Sequence, residues 1–151
     1  MDLSSLKDTK KLSAKIAKII KLDDTIFLYG EIGVGKTTFV RFLINQLEVE
    51  NRIKKSNILS PTFNIVYEYE IKKKLIQHYD LYRLKKYKDV LELGMFENLG
   101  NNITIVEWPE LIEPKPQDRI DIFFYYSKLE SSRTVKIVGF GKWKDYKFNE
   151  I

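Results

Sequence analysis

The sequence predicts an α/β fold in which a mainly parallel sheet carries added antiparallel hairpins and has helices on both faces. The first observation is the order of elements in residues 25–47. A short apolar, β-prone run is followed by a glycine-rich turn and then by apolar residues that recur at helical spacing. The second is that two pairs of β-prone runs have short connections, which favour hairpins over parallel crossovers. The paired runs are residues 63–71 with 75–81, and 119–126 with 133–138.

The turn between the first strand and its helix has the pattern G-x-x-x-x-G-K-[ST] of a phosphate-binding P-loop. Its glycines let backbone N–H groups curl around phosphate oxygens, and the start of the helix adds a partial positive charge. We expect Lys36 to reach the β- and γ-phosphates and the Thr37 hydroxyl to hold Mg²⁺. The alternative is a plain glycine turn before an ordinary helix. The predicted nucleotide-binding residues of this loop are Gly30, Glu31, Ile32, Gly33, Val34, Gly35, Lys36, Thr37 and Thr38.

The composition limits the class of protein. A chain of 151 residues fits one domain spanning residues 1–151, in which residues 139–151 can form a C-terminal tail. The absence of cysteine excludes disulfides and thiolate metal sites, and a single histidine, His78, excludes a multi-histidine zinc site. No apolar run has the length of a membrane helix and no signal-peptide core opens the chain, so we expect a cytoplasmic protein without a membrane partner.

The charge pattern is less informative. A net charge of +5 is compatible with nucleic-acid binding, but the lysines are scattered and no nucleic-acid motif is present. Residues 1–24 predict one helix and a turn, with Asp8 or Thr9 as the cap and lysines opposite an apolar stripe. Those lysines can be a solvated face or a basic face for an acidic partner. Residues 84–99 predict short helical structure.

Three segments outside the P-loop carry candidate site residues. Thr62 lies in a Ser-Pro-Thr loop, where it can be a γ-phosphate-sensing switch or part of a plain turn. Asp80 ends a predicted strand, where it can direct its carboxylate at a metal or cap the next turn. Glu107 follows the apolar run 103–106, which is the Walker B pattern with Glu in place of the usual Asp. His78 shares the face of Asp80, where it can have a role in the site or be a hydrogen-bonded strand histidine, and we favour the second interpretation.

Rival functions have weaker sequence support. A small-molecule P-loop kinase needs an arginine-rich lid over the phosphates, and the sequence contains no such cluster. A GTPase needs an Asn-Lys-x-Asp base-reading motif, which is absent. A nucleotide-gated assembly module with incidental hydrolysis overlaps with an ATPase and stays open. Arg83 and Arg133 are candidates for an arginine finger, unless a partner supplies one.

The motifs in combination resemble those of the TsaE (YjeE) family, the small P-loop ATPases of bacterial tRNA modification. The resemblance spans roughly residues 8–140 and is far more specific than the P-loop alone. The segments that carry it are residues 28–39, Ser60-Pro61-Thr62-Phe63, His78-Tyr79-Asp80-Leu81-Tyr82-Arg83-Leu84, Leu93-Gly94 and Val106-Glu107-Trp108-Pro109-Glu110.

The resemblance implies ATP hydrolysis and a set of residue roles. Lys36 and Thr37 would bind phosphate and Mg²⁺, and Trp108 would lie beside the nucleotide. Thr62 would act as a switch. Asp80 and Glu107 would have catalytic or Mg²⁺-linked roles, so the expected metal residues are Thr37, Asp80 and Glu107. The implied partners are the proteins TsaD and TsaB, and the chain would reach tRNA through its complex with them. The complex would form threonylcarbamoyladenosine next to the anticodon of tRNA. The lysine-rich, aromatic tail departs from the family pattern.

Overall fold

The structure is a computed structural model that describes residues 1–95, 97, 102–127 and 132–148. Within these residues the chain forms seven strands and three α-helices. The strands are β1 (Asp2–Leu3), β2 (Thr25–Tyr29), β3 (Val66–Ile71), β4 (Lys74–Asp80), β5 (Asn102–Glu107), β6 (Arg119–Tyr126) and β7 (Arg133–Phe140). The helices are α1 (Leu6–Ile19), α2 (Lys36–Glu50) and α3 (Tyr87–Leu91), with 3-10 turns at Pro109–Leu111 and Gly141–Trp143.

All seven strands form one sheet in the order β1-β7-β6-β2-β5-β4-β3. The four central strands, β6, β2, β5 and β4, are parallel neighbours. Antiparallel strands flank them: β3 pairs with β4, β7 pairs with β6, and β1 pairs with β7. The predicted parallel sheet with added hairpins is therefore confirmed. The carboxyl ends of β2, β4 and β5 meet at one edge of the sheet, where ligands bind in open α/β folds.

Helices cover the two faces of the sheet unequally. Ile16 of α1 and Phe39 and Leu43 of α2 are buried together with Ile26 and Leu28 of β2. The opposite face has a smaller apolar cluster, which is covered by α3 and the loop around residue 112. Full burial of one large apolar side chain contributes about 1.5–3 kcal/mol, so the first cluster supplies most of the stabilisation. Among the described residues, no helix combines the length and apolar character needed to cross a bilayer.

The beginning of the chain differs from its prediction. Residues 2–3 form a short edge strand against β7, and α1 starts at Leu6 with Ser5 as its cap, so the expectation of Asp8 or Thr9 was wrong. Ser5 is extended, and its hydroxyl accepts a hydrogen bond from the Asp8 backbone N–H at 3.3 Å. The same hydroxyl donates to Asp8 Oδ2 at 2.7 Å. The serine hydroxyl reaches the free amides of the first turn, which is the usual reason for a serine cap.

Within its described residues, the segment predicted as short helical structure is helical in part and turn in part. Among the residues of this segment that the structure describes, only Tyr87–Leu91 is helical. Gly94 has a φ of +57°, a left-handed conformation that does not continue a helix. Two residues expected to pack there, Phe96 and Leu99, lie outside the described residues. The turn of the last hairpin also falls in part outside them, at residues 128–131.

The described part of the tail packs onto the body of the protein. Trp143 is buried, and its indole Nε1 donates to Asp24 Oδ1 at 3.0 Å. Lys142 Nζ lies 2.8 Å from the same oxygen, and Phe148 is also buried. The tail residues Trp143 and Phe148 therefore belong to the core, since they pack beside the start of β2.

Candidate nucleotide site

The P-loop leaves the end of β2 and runs directly into α2. Gly30 has a φ of +135°, and a Cβ at this position would lie 2.5 Å from the carbonyl oxygen of Phe124. Gly35, with a φ of +114°, precedes the first residue of α2. Both positions favour glycine because side chains rarely adopt this conformation. The free N–H groups at the start of α2 consequently lie at the mouth of the loop, where an anion can accept from them.

A cavity of about 310 Å³ opens beside this loop. Another cavity, of about 490 Å³, lies between α3 and residues 112–116, but its described lining is mainly apolar and contains none of the predicted site residues. The smaller one is the candidate site because convergent polar groups mark a ligand pocket. Its described lining residues are Ile32, Gly33, Gly35, Lys36, Thr37, Thr38, Ser60, Thr62, Asp80, Tyr82, Glu107 and Trp108.

Lys36 is buried against its own loop. Its Nζ donates to the carbonyl oxygens of Gly30 at 2.6 Å and Glu31 at 3.0 Å. The same Nζ lies 3.9 Å from the centroid of the Trp108 ring. The ammonium group is thus held at the phosphate-binding loop by two carbonyls and a π-face.

The charge state of Lys36 is set by opposing effects. Burial lowers the pKa of its amine, while the carboxylates of Glu107, Asp80 and Glu110 act in the opposite direction. A phosphate group in the cavity would add negative charge beside the amine and favour its ammonium form.

Glu107 connects the P-loop helix to β5. Its side chain is buried, and Oε2 accepts a hydrogen bond from Thr37 Oγ1 at 2.9 Å. Its other oxygen, Oε1, lies 2.9 Å from His78 Nε2. The backbone is held as well, since the N–H of Leu81 donates to the Glu107 carbonyl at 3.0 Å. The Thr37 hydroxyl gives its one hydrogen to the carboxylate, which leaves its lone pairs available to a cation.

Asp80 connects β4 to the loop that contains Thr62. Thr62 Oγ1 donates to Asp80 Oδ2 at 2.6 Å, and the Tyr82 N–H donates to Asp80 Oδ1 at 3.0 Å. Ser60 Oγ lies 2.9 Å from Thr62 Oγ1 and must be the donor there, because the threonine hydrogen is already used. The loop threonine is therefore fixed to a carboxylate at the edge of the sheet.

The two arginine-finger candidates lie in different places. Arg83 Nε donates to the Thr62 carbonyl at 2.6 Å, and its guanidinium also donates to the Phe63 carbonyl. Arg133 lies 5.8 Å from the centroid of the Tyr126 ring and lines a neighbouring cavity of about 250 Å³. Neither arginine is among the described residues that line the candidate site.

Trp108 has an unusual backbone conformation for a non-glycine residue, with a φ of +59°. Its N–H donates to the Leu28 carbonyl at 3.2 Å, which ties the end of β5 to β2. Its ring packs against Tyr82, with 4.9 Å between the centroids. Such strain clusters at functional sites, and here it turns the indole toward Lys36.

The structure brings most of the predicted site residues together. Gly30 and Glu31 contribute carbonyls to Lys36 and do not line the described cavity, and Val34 is buried in the core. Ser60 and Tyr82 line the cavity although sequence reasoning gave them no role, and their place in the same motifs as Thr62 and Asp80 was the available signal.

The site can be tested for its fit to Mg²⁺ by its donor atoms. Within the described residues, no group of three or more histidine and acidic side chains is placed to hold a metal alone. Magnesium does not need such a cage, because it commonly binds through one or two carboxylates together with substrate phosphates. The oxygens of Thr37, Asp80 and Glu107 are hard ligands of that kind, and they line one cavity with the P-loop.

A comparison with known protein families matches most of the chain to one of them. The family model described as "Threonylcarbamoyl adenosine biosynthesis protein TsaE" matches residues 3–135. The chain belongs to the TsaE family. The match ends before most of β7 and the docked tail.

Similar proteins that carry the name TsaE align with about three quarters of the chain. A "tRNA threonylcarbamoyladenosine biosynthesis protein TsaE" of Rickettsia felis is 41% identical over 111 residues, which are 74% of this chain and 63% of the relative. The protein of that name from Aquifex aeolicus is 42% identical over 112 residues, 74% of this chain and 77% of the relative. The chain thus spans less than two thirds of the Rickettsia felis protein. The crystal structure of YdiB from Bacillus subtilis superposes with a TM-score of 0.74 at 25% identity, over 99% of this chain and 90% of that one.

Proposed function

We propose that this protein is a Mg²⁺-dependent ATPase that supports formation of threonylcarbamoyladenosine in tRNA, next to the anticodon. On this proposal it acts in the cytoplasm in complex with TsaD and TsaB, and it reaches tRNA through that complex. Membership of a family named for biosynthesis of this nucleoside supports the pathway. The observation that carries the ATPase is the hydrogen bond between Thr37 and Glu107, which joins the P-loop helix to the neighbouring strand beside the cavity.

The chain's own residues bind the triphosphate in this mechanism. Free N–H groups of the loop and of the first turn of α2 donate to phosphate oxygens. Lys36 exchanges the carbonyls of Gly30 and Glu31 for the β- and γ-phosphates. Thr37, with Glu107 and Asp80, would hold Mg²⁺, which when bound neutralises the negative charge on the phosphates.

The hydrolytic step needs little covalent chemistry from the protein. The oxygen of a water attacks the γ-phosphorus, the bond to the ADP oxygen breaks, and the proton of the water leaves with phosphate or to solvent. Glu107 or Asp80 would orient that water or the water molecules bound to the metal. Thr62 shares a hydrogen bond with Asp80, so the loop would report γ-phosphate loss to a partner surface.

The described lining favours hydrolysis over phosphoryl transfer to a small molecule. Lys36 is the only basic side chain among the described residues that line the cavity. A kinase would need several cationic groups closing over the phosphates, whereas an ATPase with a low intrinsic rate can receive a cation from its partner.

The deciding experiment measures phosphate release from Mg-ATP by the protein alone and with TsaD and TsaB. We expect the partners to raise the rate of phosphate release. Lys36→Ala should lower this rate by about 100-fold or more, because the positive charge that stabilises the transferred phosphoryl group is lost. Lys88→Ala, at an exposed lysine of a surface ion pair, is the matched control. Retention of wild-type affinity and turnover by folded Lys36→Ala would refute the site. If the protein binds nucleotide but releases no phosphate, either alone or with TsaD and TsaB, the result would indicate a nucleotide-gated assembly module instead.

A further inference from the structure

His78 is a polar side chain in an apolar part of the sheet. It lies on β4 with 0% exposure, and its Cα partner on β5 is Ile105. The neighbouring inward residues Ile76 and Ile103 belong to the same apolar cluster as Ile105. An aliphatic residue would pack there without a polar group to satisfy, so a buried imidazole at this position needs an explanation.

One hydrogen bond accounts for the imidazole. Nε2 lies 2.9 Å from Oε1 of Glu107, whose side chain is itself only 3% exposed. An ionised carboxylate only accepts hydrogen bonds, so Nε2 is the donor. The other ring nitrogen, Nδ1, has no partner among the described residues. The polar interactions of His78 within the described structure are therefore directed at Glu107.

Glu107 is consequently held at both oxygens. His78 donates to Oε1, and the Thr37 hydroxyl donates to Oε2 at 2.9 Å. The terminal torsion of a glutamate is broad and is fixed by its contacts and not by its own rotamer preference. Without the imidazole, the carboxylate would be free to turn toward the nearby Lys36 ammonium, whose charge it already influences.

We propose that His78 is a positioning residue that holds the Glu107 carboxylate against Thr37, at the place where the metal and the phosphates bind. This inference rests on the proposed ATPase function. His78 contacts no cavity surface in the described lining, so it acts through Glu107 alone. Removal of such a supporting partner typically lowers metal affinity or activity by about 10- to 100-fold.

The test compares two substitutions of His78. Gln retains an N–H donor at a reach similar to that of Nε2, whereas Phe retains a planar ring without a donor. We expect His78→Phe to lower kcat by about 10- to 100-fold with KM changed less than about 3-fold, and His78→Gln to stay within about 3-fold of wild type. Ile105→Val is the packing control, because it trims the partner residue without touching a hydrogen bond. It should leave kcat unchanged.

A double-mutant cycle with Glu107→Gln separates positioning from independent action. If His78 acts through Glu107, His78→Phe should cost less than about 2-fold when Glu107 is already replaced. A full additional loss in the double variant would overturn the inference. Equal losses in His78→Phe and His78→Gln would overturn it too, since the ring and not the donor would then matter.

A binding measurement keeps this inference separate from the proposed function. Calorimetric titration with the non-hydrolysable analogue AMP-PNP, with and without Mg²⁺, gives the fold-gain in affinity that the metal provides. That gain should shrink by about 10-fold in His78→Phe and persist in His78→Gln. If wild type releases no phosphate under any condition, the ATPase proposal fails, and this pattern alone then decides about His78. An unchanged gain in a folded His78→Phe variant would refute its positioning role.

Discussion

Asp80 and Glu107 are Cα partners at the carboxyl ends of two adjacent parallel strands. Both are almost fully buried, with 4% and 2% exposure. Each accepts a hydrogen bond from a threonine: Asp80 from Thr62 of the Ser-Pro-Thr loop, and Glu107 from Thr37 in the first turn of α2. Two carboxylates beside a polyphosphate repel it in the absence of a cation. The pair is compatible with nucleotide binding only if Lys36 and a metal ion compensate the charge.

We therefore predict that Asp80→Asn and Glu107→Gln each lower turnover by about one to several orders of magnitude, as loss of a positioning or electrostatic group does. Affinity for ATP without Mg²⁺ should hold or rise, because one negative charge has been removed. The measurements are phosphate release at saturating Mg-ATP and nucleotide binding with and without Mg²⁺. Glu92→Gln, at an exposed acid of α3's surface ion pair, is the control and should behave like wild type.

Two outcomes would contradict this prediction. Near-normal turnover in both variants would leave the acids as structural caps of their strands. A defect confined to metal-free binding would argue against a metal role and would restore the kinase and assembly-module alternatives.

The second prediction concerns Arg83 and distinguishes two roles for it: holding the loop that contains Thr62, or acting as an arginine finger. Its guanidinium donates to the carbonyls of Thr62 and Phe63, so Arg83→Ala should loosen this loop. We expect a loss of about 10-fold in turnover, the size of a hydrogen bond worth about 1.4 kcal/mol, together with faster amide exchange in residues 62–65. A finger would cost about 10³- to 10⁵-fold. Hydrogen–deuterium exchange and phosphate release on the same samples decide, with Lys85→Ala as the control.

Local signals explain why so much of the fold could be predicted. The P-loop pattern, the periodicity of α2 and the alternation in β4 each depend on residues close together in the chain. The alternation also placed Ile76, His78 and Asp80 on one face, which the structure confirms for Ile76 through its place in the larger apolar cluster. Where the signal is local, pattern and structure mostly agree. The start of α1 is an exception, since Ser5 caps the helix in place of the predicted Asp8 or Thr9.

Contacts between distant segments could not be predicted in this way. A face assignment does not fix the register between β4 and β5, and only that register brings His78 within reach of Glu107. The strand β1 has only two residues, which are too few to show a strand pattern in the sequence. It forms by pairing with the edge of β7, a segment far away in the chain. Asp24 and Trp143 are joined by a hydrogen bond across most of the chain, which no local pattern indicates.

Base preference is the third prediction. The chain lacks the Asn-Lys-x-Asp motif that reads guanine, so we expect ATP to bind more tightly than GTP. Displacement of a fluorescent ADP analogue by each nucleotide, at one Mg²⁺ concentration, measures the ratio directly. A clear preference for GTP would contradict this expectation, and Lys36→Ala should abolish displacement by both.

The last prediction concerns stability at alkaline pH. Burial, and secondly the charge of Glu68, raise the pKa of Tyr79 from 10.0 to about 12. The unfolded chain loses this proton near the lower value while the folded protein keeps it, so the free energy of unfolding must fall as pH rises through this interval. Each retained proton gives a slope of about 1.4 kcal/mol per pH unit. Burial raises the pKa of Tyr29 as well, which adds to the same trend.

Urea unfolding of wild type and Tyr79→Phe between about pH 9 and pH 11 tests this prediction, and the variant should show the smaller slope of unfolding free energy against pH. Tyr125→Phe is the control because Tyr125 is exposed, and it should keep the wild-type slope. Equal slopes in wild type and Tyr79→Phe would show that Tyr79 ionises alike in the folded and unfolded chain.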